Sequence, residues 1–357
     1  MAIKFKIGGH WIGNSKPCFI IAEAGVNHNG KLNLAKKLIA TAKKAGADAV
    51  KFQTFVSKDL VSETAQKAEY QKANDRRHET QFEMLKSLEL TPKQFMDLKT
   101  YCKKLDILFL STPFDLASVE LLEKLGISAY KIPSGEITNL QLLRHVARKG
   151  KPIILSTGMA GISEIARALK VIYSTGNKRV AILQCTTSYP APPNTLNLRT
   201  IPVLTKKFRM PVGFSDHSEG IVAPVVAVSL GACIIEKHFT LARTLPGPDH
   251  KASIEPKELK AMVDAIRTTE QMLGEGLKKK QEIEKEISPH IRKGLYAKTT
   301  IKKGEKLTSR NITAKRPVKG LPAEKFDWVL GRHMNINLAE GEPIYLADIK
   351  LSKKVNT

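Results

Sequence analysis

Acidic side chains are scarce in this 357-residue chain: 34 Asp and Glu stand against 58 Lys and Arg, leaving a net charge of +24. Cysteine is scarcer still. Cys18, Cys102, Cys185 and Cys233 form no C-x-x-C pair, so a reduced, cytoplasmic protein is expected, with a thiol nucleophile at Cys185 left open. Aromatic residues make up only 6% of the chain and no DNA- or RNA-binding motif occurs, so the positive charge does not read as a nucleic-acid interface. The lysines are instead spread in pairs along predicted helices (Lys36-Lys37, Lys43-Lys44, Lys103-Lys104), with one triplet at Lys278–Lys280. That distribution describes a solvated basic surface able to steer an anionic substrate, although the excess is larger than a small anion requires. Residues 1–13 lack an apolar h-region, so no secretory signal is expected. The longest greasy stretch, Ile221–Ile235, is too short to span a bilayer and contains Pro224 and Gly231. The reading therefore expects no nucleic acid and no membrane as partners. Neither G-x-x-x-x-G-K-[ST] nor G-x-G-x-x-G is present, which disfavours ATP and dinucleotides.

What is present is a repeat of apolar runs, each ending in polar or glycine-containing residues. They are Phe19–Gly25, Ala49–Phe55, Leu108–Phe114, Ala129–Gly135, Pro152–Met159, Val180–Tyr189, Pro211–Ser218 and Cys233–Thr240. Buried parallel strands read as continuous apolar runs, and the intervening stretches are long enough for helices. Eight strand–helix units in series predict an α/β fold, a closed (β/α)8 (TIM) barrel, with the active site at the C-terminal strand ends.

Helix one is expected to be capped by Asn33, to bury Leu34, Leu38, Ala42 and Ala45, and to stop at Gly46. The second unit carries a long insert from Val56 to about Leu90, read as a lid with helical pieces at Ala65–Lys72 and Glu79–Lys86. Helix eight is expected over Pro256–Leu273. We divide the chain into a barrel over 1–275, a charged linker over 276–290 and a small β-rich module over 291–357. Short strands are expected at Leu295–Ala297, Ile312–Ala314 and Ile344–Ala347, with turns at Gly304, Gly320 and Gly341. So small a core is marginal unless it docks on something.

The strand ends carry the chemistry. His217 and His238 fall at adjacent barrel mouths, where two imidazoles can converge on one metal and leave most of its coordination sphere open; each is equally readable as an ordinary hydrogen-bonded histidine. Lys51 and Lys131 project from strands two and four. Ser134-Gly135, Ser156-Thr157-Gly158 and Ser215 add hydroxyls and turn N–H groups, a set suited to a phosphorylated or carboxylated ligand. Glu23 is the only carboxylate within strand one. It must be paired, with Lys51 the nearest candidate, or catalytic.

These residues closely resemble the sialic acid synthase family, the bacterial nonulosonic acid synthases. The matching segments are IIAEAGVNHNG (Ile20–Gly30), GADAVKFQTF (Gly46–Phe55), LSTPFD (Leu110–Asp115), KIPSGEITN (Lys131–Asn139), ILSTGM (Ile154–Met159), CTTSYPAP (Cys185–Pro192), GFSDHS (Gly213–Ser218), EKHFT (Glu236–Thr240) and GPDHKAS (Gly247–Ser253). The tail segment TIKKGEKLTSRNITAKRP (Thr300–Pro317) resembles the antifreeze-like (SAF) domain of these enzymes. Matches run in order along nearly the whole chain.

The resemblance implies condensation of phosphoenolpyruvate with a 2-acetamido mannose-type sugar, giving a nine-carbon α-keto acid and phosphate. It assigns Lys51, Thr112, Lys131, Ser134, Ser156, Thr187 and Ser215 to phosphoenolpyruvate. His217 and His238 are assigned to a divalent metal, most simply Mn2+, with Mg2+ or Co2+ as alternatives. Glu23 handles a proton, Gln53, Tyr189 and Asp249 orient the sugar, and Arg316 reaches its N-acetyl group across a domain-swapped homodimer. Two departures stand out: Thr187 replaces an asparagine that helps hold phosphoenolpyruvate in many members, and KRPVKG (Lys315–Gly320) lacks the usual glycine after KRP. The motif forms look most like N-acetylneuraminate and N,N′-diacetyllegionaminate synthases acting on a free sugar. Pseudaminate synthases, other condensing barrels that make 3-deoxy sugar acids, and a non-catalytic carbohydrate-binding homologue are the alternatives.

Overall fold

The computed structural model describes residues 4–68 and 79–350. Each apolar run forms a strand: β3 (Phe19–Gly25), β4 (Ala49–Thr54), β5 (Leu108–Pro113), β6 (Tyr130–Ile132), β7 (Ile153–Ser156), β8 (Val180–Cys185), β9 (Val212–Asp216) and β10 (Ile234–His238). All seven hydrogen-bonded seams of this sheet are parallel, in the order β5-β4-β3-β10-β9-β8-β7-β6. β5 and β6, the two ends of that order, lie side by side, giving a near-closed barrel.

Side-chain alternation along these strands separates two cores. Ile20, Val50, Leu155, Ile182 and Ile235 point outward and pack on the helices, while Phe19, Ile21, Ala49, Leu110, Ile154 and Ile234 point into the lumen. Strand parity thus stacks apolar residues at the N-terminal end of the lumen and carries polar ones to its C-terminal end. A hairpin of β1 (Phe5–Ile7) and β2 (His10–Ile12), which periodicity alone did not reveal, closes the bottom by adding Phe5, Ile7 and Ile12 to the lumen core.

The first barrel helix, Leu32–Ala45, ends as expected: Gly46 adopts φ 87° and its N–H bonds to carbonyls of the last turn. The expected cap does not form. Lys31 precedes the helix without a side-chain cap and Asn33 lies inside it. The eighth barrel helix spans Pro256–Leu273. In the insert, helices cover Ser57–Leu60 and Gln81–Leu88. The second begins two residues later than expected, because the Thr80 hydroxyl accepts from the Glu83 N–H and the Glu83 carboxylate accepts from the Thr80 N–H. Of the expected helix at Ala65–Lys72, residues 65–68 are not helical, and the rest lies outside the described residues.

The chain separates into two compact units, Met1–Gly274 and Glu275–Thr357. The second opens with a helix, Glu282–Ile291, in the charge-dense stretch read as a linker; a Gln281–Glu284 capping box starts it and it buries no residue. Behind it, β11 (Gly294–Ala297) and β12 (Ile312–Lys315) pair antiparallel over a core that includes Leu295, Ile301, Leu307 and Ile344. The third expected strand, Ile344–Ala347, is not one. Only isolated bridges form there, Pro343 has no N–H to extend a ladder, and Leu346–Asp348 turns as a 3-10 helix. Gly304, Gly320 and Gly341 all take positive φ, as turns require. Among the described residues no helix is long and apolar enough to cross a membrane.

Candidate active site

At the C-terminal mouth of the barrel a cavity of about 340 Å³ is lined by Glu23, Lys51, Gln53, Thr112, Lys131, Ser134, Ser156, Thr187, Tyr189, Ser215, His217, His238 and Asp249. Every barrel residue singled out in the sequence therefore converges there; Arg316 belongs to the other unit and is exposed on it. Hollows of about 470 and 550 Å³ lie at the opposite end of the barrel, but they are lined by helix ends and carry no comparable cluster of buried charge.

The floor is an alternation of buried charges. Glu23 and Lys51 are register partners on β3 and β4, and their carboxylate and ammonium lie 2.8 Å apart. Lys51 also donates to Thr112 Oγ1 at 2.8 Å and lies 3.7 Å from Glu236. Lys131 reaches the same Glu236 at 3.2 Å, and Ser215 donates to that carboxylate at 2.9 Å. Glu236 was missed in the sequence. The signal was present: it sits two residues before His238 in a strand of period two, so it shares the lumen face.

This arrangement sorts the two carboxylates. Burial raises the pKa of Glu236, but Lys131 and Lys51 outweigh it and hold the group down at about 2. Glu23 touches a single lysine and is repelled by Glu236, so burial pushes it up to about 7. Burial also lifts Asp249 to about 6. Glu236 is thus the fixed anion of the site, while Glu23 and Asp249 titrate near neutrality. Gly25 lies between them, at a left-handed φ that favours glycine. It ends β3 at φ 52°, and a Cβ there would lie 3.4–3.5 Å from Glu23, Asp249 and Gln53.

In the same cavity as the lysines, Ser156 Oγ is buried without a partner among the described residues, and Ser134 Oγ accepts from the Gly158 N–H at 2.9 Å. A Cβ at Gly158 would meet Thr187 Oγ1 at 2.3 Å, so this glycine keeps the cradle open. An unpartnered hydroxyl, turn N–H groups and two buried ammoniums form a receptor for an anion.

His217 and His238 stand with ring centroids 5.6 Å apart. His217 Nδ1 lies 2.8 Å from the Thr186 carbonyl, which fixes its N–H there and turns Nε2 toward the Tyr189 hydroxyl at 3.1 Å. Burial works to lower the His217 pKa, but its bonds to Cys185 and Thr186 raise it on balance. His238 is driven well below its ordinary value by burial, with His217 and Lys51 adding to the effect, and its Nδ1 is buried without a partner among the described residues. An imidazole whose second nitrogen is tied to a carbonyl, beside a neutral imidazole with a free lone pair, fits a divalent metal site. Among the described residues no group of three or more His, Cys, Asp or Glu is placed to hold a metal, so the histidine pair would bind one with an open coordination sphere.

The wall facing this floor is different in character. Leu60, Met84, Leu85 and Leu88 from the insert, with Phe114 after β5, make it apolar.

Residues 38–278 match the NeuB family and residues 292–350 match the SAF domain. The N,N′-diacetyllegionaminic acid synthase of Campylobacter jejuni is 50% identical over 331 residues, covering 92% of this chain and 99% of that protein. The enzyme of the same name from Legionella pneumophila is 44% identical, covering 92% and 94%. Among solved structures, the N-acetylneuraminic acid (sialic acid) synthetase of Leptospira borgpetersenii in complex with citrate is 39% identical at a TM-score of 0.72, covering 80% of this chain and 95% of that one.

Proposed function

The chain belongs to the NeuB family, and from that premise we propose that it is a nonulosonic acid synthase. It joins phosphoenolpyruvate to the aldehyde of a 2-acetamido mannose-type sugar and releases phosphate. The observation that carries this reading is the anion receptor beside the histidine pair. Lys51 and Lys131 are buried and line the same cavity as the Ser156 hydroxyl, which has no partner among the described residues, and the two imidazoles.

In this reading Lys51, Thr112, Lys131, Ser134, Ser156, Thr187 and Ser215 hold phosphoenolpyruvate. His217 and His238 hold a divalent cation, Mn2+ before Mg2+ or Co2+, which supplies Lewis-acid polarisation of the aldehyde. Gln53, Tyr189 and Asp249 orient the open-chain sugar, and Arg316, delivered across a domain-swapped homodimer, meets its N-acetyl group. The enol π electrons form the new bond from C3 of phosphoenolpyruvate to the aldehyde carbon, the carbonyl π pair moves onto the aldehyde oxygen, and positive charge is left at C2. Water adds at C2, Glu23 takes its proton, and the former aldehyde oxygen gains a proton to become the new hydroxyl. The tetrahedral centre then collapses: its hydroxyl gives its proton to the departing phosphate as the C2–oxygen bond breaks, and a ketone remains. A carboxyl pKa of about 7 suits Glu23 to proton transfer near neutral pH. Glu236 holds both lysines in place without titrating.

For the sugar we favour 2,4-diacetamido-2,4,6-trideoxymannose over N-acetylmannosamine and its 6-phosphate. The names of the Campylobacter and Legionella relatives support this, as does the apolar wall, against which a 6-deoxy carbon packs better than a hydroxyl or phosphate. The four buried free cysteines suit work in the reducing cytoplasm. We keep the division into a barrel over 1–275, a linker over 276–290 and an SAF domain over 291–357.

The test is phosphate release from phosphoenolpyruvate and Mn2+ with each of the three sugars offered separately. Release with the trideoxy sugar, abolished by EDTA and restored by Mn2+, is expected. Silence with all three from folded, metal-loaded protein would point to another condensing reaction or a binding role. Unchanged turnover in excess EDTA removes the metal from the mechanism.

A further inference from the structure

Basic residues that look dispersed along the sequence, Lys43-Lys44 and Lys103-Lys104 among them, are gathered by the fold. Each barrel helix runs antiparallel to its strands, so all helix C-termini lie at the end opposite the active site. The first six barrel helices each end in basic residues: Lys43-Lys44, Lys103-Lys104, Lys124, Arg148, Lys170 and Lys206-Lys207 occupy the last turns. Lys178, Arg179 and Arg209 follow just beyond such ends and are exposed. One cation per helix end offsets the helix dipole; this crescent holds more than that. Lys44, Lys103, Lys104, Arg148, Lys206 and Lys207 are exposed and form no ion pair among the described residues. The carboxylates on this face, Asp48, Asp106, Glu123 and Glu270, already have cationic partners in Arg267, Lys43 and Lys151.

At the centre of the same face sits the hairpin plug. Phe5, Ile7 and Ile12 point into the lumen, which leaves Trp11 outward and 45% exposed, with the Lys6 ammonium 4.9 Å from its ring centroid. An exposed tryptophan with a lysine over its ring, on the same barrel end as the basic helix termini, fits the headgroup layer of an anionic bilayer, where indole seats at the interface and cations meet phosphates. Nucleic acid fits less well, since Trp11 is the one exposed large aromatic among the described residues of the barrel unit, too few for a stacking platform.

We infer that the bottom of the barrel is a docking surface for an anionic membrane, with the catalytic mouth turned away from the lipid and open to its substrates. The surface holds the protein peripherally. It also gives a use to positive charge that exceeds the needs of a small substrate.

The test is co-sedimentation of the full-length protein with vesicles of phosphatidylcholine alone and of phosphatidylcholine with ~30 mol% phosphatidylglycerol. Binding is expected only to the anionic vesicles and should weaken as salt rises. Each basic side chain of the crescent removed should cost roughly fivefold in affinity. A Lys103→Glu/Lys104→Glu/Lys206→Glu/Lys207→Glu variant should stay in the supernatant while retaining its circular dichroism and its phosphate release. In a Trp328→Phe background, Trp11 is the remaining tryptophan and its emission should shift to the blue on the vesicles. Equal partition to neutral vesicles, no binding at low salt, or an unshifted Trp11 emission overturns the inference. Tighter binding to a duplex DNA at matched phosphate concentration overturns it in favour of nucleic acid.

Discussion

Asp249 shows what a single buried carboxyl does to stability. Its folded pKa of about 6 lies above the ordinary 3.8, so between those values the folded state holds a proton that the unfolded state has lost. Stability therefore falls as pH rises through that window, by at most about 3 kcal/mol. Asp249→Asn should raise the melting temperature at pH ~8 and leave it nearly unchanged at pH ~4, while sugar turnover collapses. A variant no more stable than wild type at alkaline pH would mean that Asp249 is solvated. Glu236 behaves oppositely. Glu236→Gln leaves Lys51 and Lys131 buried without their shared anion and should destabilise the fold by about 3–5 kcal/mol, a loss that saturating phosphoenolpyruvate should partly restore. Calorimetry with and without ligand checks this, and an unaltered melting curve would refute the shared-anion role. Lys51, Lys131 and the histidines were legible in the sequence as isolated polar residues within apolar runs. Glu236 was equally legible by strand parity, although Lys237 follows it directly. Lys237 in fact points the other way, to a fully buried contact with Asp216 at 2.6 Å.

At the scale of elements, the insert was recognised by its length and its helices only in part. Helix starts depend on local hydrogen bonds that one residue can move, as Thr80 and Glu83 do for Gln81–Leu88. Thr80→Ala should cost that helix about 1 kcal/mol, and because Met84, Leu85 and Leu88 line the cavity wall, it should raise KM for the sugar while leaving phosphoenolpyruvate binding intact. Hydrogen exchange across 81–88 is the direct measurement, and wild-type protection there would refute the capping argument. The hairpin Phe5–Ile12 and the helix Glu282–Ile291 escaped the periodicity reading for a common reason. The first is too short to display a pattern, and the second has no buried face to impose one.

At the scale of the molecule, each unit has its own core: the barrel has its two layers, and the second unit has the cluster around Leu295 and Ile344. A chain ending at Gly274 should therefore still fold and gain thermal stability from phosphoenolpyruvate, yet use the sugar poorly for want of Arg316. Wild-type sugar kinetics from that truncation would refute the assignment of Arg316.

The sequence by itself determined the barrel, its strand order in the chain and most of the site. Apolar runs of strand length and the two-residue alternation within them are one-dimensional properties, and they set which residues face the lumen. What only the tertiary structure decided was which charges meet. Glu236 stands between Lys131 and Lys51 because barrel closure brings β10, β6 and β4 around one lumen, and no spacing along the chain encodes that distance. The basic crescent has the same origin. Basic residues scattered over the last turns of six helices become one surface because a parallel barrel sends every helix C-terminus to the same end.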